Sequence, residues 1–174
     1  MNPRLATLIG ILIVAALFRI LPHPPNVAPI AAMALFAGAY FSDRKLAFVM
    51  PFAALLVSDL IIGFHSTMLF VYAAFAITVV MGVWLQSRRR PLPILGAALG
   101  SSVLFFLVTN FGAWLSHGMY PLTAEGLMAA YTAGIPFFRN TLVGDLLFVA
   151  LFFGGFSLAE RHLPALRERK EATV

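Results

Sequence analysis

The stretch 19-RILPHPPNVAPIAAMALFAGAYF-41 decides how the rest of the chain is read. It starts as the end of an apolar helix, breaks on three prolines, and resumes with little side-chain bulk. Pro22, Pro24 and Pro25 end the first helix and hold the loop extended, because each fixes φ and disfavours helix in the residue before it. His23 and Asn26 are the polar side chains that such a rigid loop would hold over a site. Pro29 falls in the first turn of the next helix, where its missing N–H costs little. That helix repeats small residues at Ala28/Ala32 and at Ala34/Gly38. Such spacing lets a second helix approach closely in lipid. Two partners fit: another helix of the same bundle, or a separate membrane protein.

The apolar character extends outward over the whole chain. Of its 174 residues, 61% are hydrophobic and 11% charged, against about 25% charged in a typical soluble domain. There is too little polar surface to cover a globule in water. The expected fold class is therefore all-α: an integral membrane bundle forming a single domain over 1–174. A span of about 30 Å needs roughly 20 apolar residues. Six spans are expected, near 4–21, 27–42, 46–64, 67–87, 93–116 and 136–160. Before the last, 117-HGMYPLTAEGLMAAYTAG-134 reads as a loop and a short interfacial helix over 123–134, with Thr123 as N-cap and Glu125 in its first turn. The first apolar run lacks a convincing cleavage site, so it is expected to be retained.

Charge sets the orientation. Ten of the 12 Lys and Arg residues fall at one set of helix ends: Arg4, Arg44, Lys45, Arg88, Arg89, Arg90, Arg161, Arg167, Arg169 and Lys170. Only Arg19 and Arg139 fall toward the other. By the positive-inside rule both termini, with the tail 161–174, should be cytoplasmic. The net charge of +5 is thus explained by topology, and no nucleic-acid partner is expected.

The remaining polar residues collect toward the outer side: His23, Asn26, Asp59, His65, Asn110, Trp114, His117, Arg139 and Asn140, with Asp145 deeper. Ionisable groups within a span are costly, and they pair or line a polar cavity. Asp59, Arg139 and Asp145 therefore point either to an Arg139–Asp pair that fixes packing or to a substrate pocket open to the outside. The three outer histidines lie in different loops and match no zinc spacing, so no metal site is expected. Trp114, Tyr120 and Tyr131 fit an interfacial aromatic belt or stacking on a ligand. The chain has no cysteine, P-loop, H-E-x-x-H or G-x-S-x-G, so neither an enzyme nor an ATPase is expected. Beside a structural or assembly role, two further readings stay open. One is a proton-coupled secondary transporter using Asp59 or Asp145. The other is an intramembrane enzyme with Asp59 and His65 as acid and base.

The combination of LPHPPN, the Ala-rich helix, 58-SDLIIGFH-65, 109-TNFGAWL-115 and 136-PFFRNTLVGDLL-147 resembles a family of small bacterial membrane proteins assigned to transport. That family is similar to the S components of energy-coupling factor (ECF) vitamin transporters, above all the solitary cobalamin-type S components of Gram-negative bacteria. The resemblance implies a six-helix inner-membrane bundle that binds a vitamin from the periplasmic side. It implies cobalamin or a related corrinoid as transported ligand, with no permanently bound cofactor. The small residues Ala28, Ala32, Ala34 and Gly38 would meet an ECF-type coupling subunit that works with ATPases. In cobalamin-type members a first-loop His, an Asp ending helix three and an Arg starting helix six belong to the ligand site; here they fall on His23, Asp59 and Arg139. Some members also use a cysteine to bind cobalt. This chain has none, and His65, Met68 and Tyr72 occupy that neighbourhood.

Overall fold

The computed structural model describes residues 2–168, and among these every regular element is helical. The elements are α1 (Pro3–Ile20), α2 (Ile30–Tyr40), α3 (Arg44–Ile62), α4 (Met68–Leu85), α5 (Pro91–His117) and α6 (Ala124–Val149). Helix α6 runs through a π-helical stretch, Ala150–Gly154, into α7 (Gly155–His162), and a short 3-10 turn follows at Pro164–Leu166. Side-chain caps start three of the helices: Asn2 for α1, Asp43 for α3 and Thr123 for α6. Each accepts from a first-turn N–H that has no partner inside its helix.

Five helices are long and apolar enough to cross a membrane: Pro3–Ile20, Arg44–Ile62, Met68–Leu85, Pro91–His117 and the continuous Ala124–His162. Their outer faces carry exposed Leu, Ile and Val, among them Val14, Leu56, Leu60 and Val143. This is the chemistry of a lipid-facing surface, and the chain is a multi-pass membrane protein. The expected span 27–42 is represented by α2, whose 11 residues cover about 16 Å at 1.5 Å per residue. The separate interfacial helix and sixth span form one 39-residue helix. Pro136 lies inside it, where it removes a single backbone donor without ending the helix.

Helix α2 is the centre of the bundle, touching α1, α3, α4, α5 and α6. All its residues from Ala31 to Tyr40 are buried, and the rings of Tyr40, Phe152, Phe153 and Phe156 surround Phe36. A Cβ on Gly38 would collide with the Val79 carbonyl, and one on Gly82 with the Leu35 carbonyl. Bare backbone at these two glycines is what lets α2 lie against α4. This corrects the expectation of a docking face for a coupling subunit. Ala32 and Ala34 are wholly buried and Gly38 is enclosed, so their small size serves packing within the chain. Ala28, one turn before, is half-buried and faces elsewhere.

The Lys- and Arg-rich helix ends gather at one end of the bundle. Arg4 pairs with Glu160 and donates to the Leu166 carbonyl at 2.5 Å. Arg89 pairs with Glu168 at 2.7 Å, and Ser42 donates to the same carboxylate at 2.8 Å. Gln86 caps the end of α2 by donating to the Gly38 and Phe41 carbonyls, both at 3.0 Å. The start of the expected solvated tail is thus bound to the bundle as far as Glu168. Arg169, Lys170 and the remainder lie outside the described residues.

Candidate functional site

At the opposite end the helices splay around a cleft of about 660 Å³. Its rim is the proline loop after α1, its sides are the α3–α4 turn and the end of α5, and its floor is the middle of α6. Gly63 closes α3 with φ 105°, and Gly118 closes α5 with φ 66° in the left-handed region, where glycine meets no steric cost. In the proline loop Asn26 also holds a positive φ, 62°, a conformation that Asn tolerates better than most residues.

Three of the expected site residues line the cleft: His23, Asn26 and Asn110. The His23 ring is stacked near Phe18 at 5.7 Å, and its Nδ1 lies 2.9 Å from the Pro24 carbonyl. The Asn110 amide nitrogen donates to the Phe106 carbonyl at 2.8 Å. Its amide oxygen lies against Gly134, where any Cβ would collide with it. Ala28, expected as a partner contact, lines the cleft as well.

Asp59 stands one layer behind the wall, 1% exposed. One of its oxygens accepts from Arg19 at 2.7 Å and the other from the Tyr72 hydroxyl at 2.9 Å. Arg19 also meets Ser58 and the Leu55 carbonyl. Asp59 is therefore a buried counter-ion with both oxygens engaged, and Tyr72 is its second support. The cation that reaches the cleft is Arg19. Sequence reasoning read Arg19 only as an exception to the charge bias. A signal was present: the buried residues of α1 are Arg4, Leu8, Leu12, Ala15 and Ala16, and helical periodicity carries that stripe onto Arg19.

Arg139 is exposed on α6 and lies outside the cleft, which corrects its assignment to the site, and the alternative of a pair with an aspartate is not met among the described residues. Among the described residues the ion pairs are Arg4–Glu160, Arg19–Asp59 and Arg89–Glu168. The buried stripe of α6 runs through Gly126, Ala130, Gly134, Asp145 and Val149, and residue 139 is off that line. Asn140 also stays out of the lining, but its amide donates to the Pro25 carbonyl at 3.1 Å and ties α6 to the proline loop. His65 is exposed, with Nδ1 2.9 Å from the Thr67 hydroxyl, and it is Thr67 that lines the cleft. Met68 is half-buried and outside the lining. The indole of Trp114 donates to the Pro121 carbonyl at 2.9 Å and anchors the α5–α6 turn, while the Tyr131 hydroxyl donates to the Leu107 carbonyl at 2.8 Å and ties α6 to the middle of α5.

Asp145 is the other aspartate of the site. It is 2% exposed, lines the cleft floor, and accepts from the Ser102 hydroxyl at 2.7 Å. Phe105, Phe106, Phe137 and Phe138 supply most of the aromatic wall. Apolar walls with a few fixed polar groups, at a volume within about 300–1,000 Å³, are general features of small-molecule sites. No group of three His, Cys, Asp or Glu side chains suited to a metal ion occurs among the described residues.

The chain belongs to DUF6580, a family of unknown function, whose model matches residues 1–166. No curated protein and no solved structure matches it.

Proposed function

We propose that this protein captures a vitamin-sized organic solute for uptake and acts as a substrate-binding membrane subunit. The observation that carries the reading is the cleft itself. A volume of about 660 Å³, aromatic walls and convergent polar groups at Arg19, His23, Asn26, Asn110 and Asp145 suit capture of one solute. The cleft lies at the end of the bundle away from the basic clusters. With those clusters cytoplasmic, as the positive-inside rule places them, the cleft opens to the periplasm of a bacterial inner membrane. On this reading α2 is a sixth, internal span. A vitamin or cofactor precursor is the cargo, and corrinoids are the first to try, in line with the resemblance to cobalamin-type S components.

The small residues of α2 are used inside the bundle. Coupling to an ECF-type ATPase module would need another face, and reorientation of the bundle alone is the simpler route. Proton-coupled transport is the second reading, and one observation directs it to Asp145 in preference to Asp59. Both oxygens of Asp59 are engaged and its charge is matched by Arg19. Asp145 has only a hydroxyl partner.

The test is titration of the purified chain in detergent with cobalamin, cobinamide and a panel of other vitamins. Saturable binding of at least one solute is expected. It should be lost in Ala113→Trp, which fills the cleft, weakened in Arg19→Ala, and unchanged in Arg139→Ala. Absence of binding across the panel by folded protein, or binding that survives Ala113→Trp, contradicts the proposal.

A further inference from the structure

We infer that Asp145 makes the cleft selective for an organic cation, held at the free oxygen of this carboxylate and against the phenylalanine wall. The inference rests on the reading that the cleft holds a solute, and it names that solute's chemical class. Four titratable side chains line the cleft: Arg19, His23, His117 and Asp145. The charge of Arg19 is already matched by Asp59, 2.7 Å away. The charge of Asp145 is not matched, since no Lys or Arg among the described residues pairs with it. A buried carboxylate without a cation is costly in a medium of low dielectric. A positively charged solute supplies the missing partner.

The two oxygens of Asp145 differ. Oδ2 accepts from Ser102 at 2.7 Å, which fixes the side-chain orientation. Oδ1 has no hydrogen-bond partner among the described residues. Yet no polar side-chain atom sealed from solvent is left unsatisfied there. Oδ1 is therefore not sealed, and the space beside Asp145 is the cleft. The wall adds a second term of the same sign. Phe105, Phe106, Phe137 and Phe138 line the same volume, and aromatic faces attract ammonium and quaternary nitrogen groups most strongly where water is excluded. Carboxylate and rings favour positive charge, while Arg19, screened by Asp59, leaves no comparable uncompensated site for an anion.

Equilibrium dialysis of the full chain in detergent tests this with tryptamine, tryptophol and indoleacetate. The three share one ring system and differ in charge. Tryptamine should bind about tenfold tighter than the neutral and anionic members. Asp145→Asn, which keeps the shape and the Ser102 contact, should erase that preference, and Asp145→Glu should retain it. Thermal unfolding of both variants reports whether they are folded, and the Glu variant keeps the test decisive if the Asn variant is not. Equal binding of the three probes, a preference that survives Asp145→Asn, or no binding of tryptamine overturns the inference. The solute-capture reading is judged separately, by the vitamin titration and Ala113→Trp.

Discussion

Removing the Arg19 guanidinium leaves Asp59 buried without its counter-ion, with only Tyr72 to hold it. Breaking a buried pair in this way costs about 3–5 kcal/mol, so Arg19→Ala should lower the unfolding midpoint in detergent sharply. Arg139→Ala removes an exposed cation and should change stability by no more than about 0.5 kcal/mol. Equal effects of the two substitutions would contradict the assignment of Arg19 as the buried partner of Asp59. Backbone conformation gives a second prediction at this scale. Asn26 holds φ at 62°, so Asn26→Gly should be tolerated. Asn26→Val should cost about 1–2 kcal/mol, the penalty of a left-handed conformation for an L-residue with a bulky Cβ. Thermal unfolding of the two variants checks this.

At the scale of elements, α2 lies close against α4 across Gly38 and Gly82. Gly82→Ala places a methyl group into the Leu35 carbonyl and should cost about 1–3 kcal/mol as the helices are forced apart. Gly96→Ala meets nothing within 4 Å and should be neutral or slightly stabilising, because alanine is the better helix former. Chemical denaturation in mixed micelles compares the two, and a Gly82 variant as stable as the Gly96 variant would refute the packing. The helices themselves were legible in the sequence. Long apolar runs, the proline break at residues 22–25 and the cap at Thr123 all reappear. Two features were hidden. Pro136 invited a break that continuous helix on both sides prevents. The partner of the Ala28/Gly38 stripe could not be read from spacing, because small residues allow close approach without naming what approaches. The site was legible as a side of the molecule. His23, Asn26 and Asn110 converge as polar bias suggested, whereas Arg139 and Arg19 exchanged roles, since side was inferred from position along the chain and facing from nothing.

For the whole molecule, the two ends differ in kind. The basic end is tied by Arg4–Glu160, Arg89–Glu168 and the Gln86 cap. Glu168 has its pKa held below its ordinary 4.5 by the Arg89 hydrogen bond, with Ser42 assisting. A depressed carboxylate contributes stability that is present above its unfolded pKa and lost as pH falls through the folded one. The tail contact should therefore persist at neutral pH and release in acid, below about pH 4.5. Hydrogen exchange around residues 163–168 reads this directly, and Glu168→Gln should abolish the pH dependence; a tail equally protected at acid and neutral pH would refute it. The opposite end is open. Because the chain contains no cysteine, single cysteines report access without background. The measurement that tests the central claim most directly is the rate at which a membrane-impermeant maleimide labels Thr109→Cys and Ser87→Cys in intact spheroplasts. The account predicts prompt labelling of Thr109→Cys in the cleft and labelling of Ser87→Cys only after permeabilisation. Labelling of Ser87→Cys alone in intact cells, or protection of Thr109→Cys from both sides, would contradict an outward-facing, solvent-filled cleft.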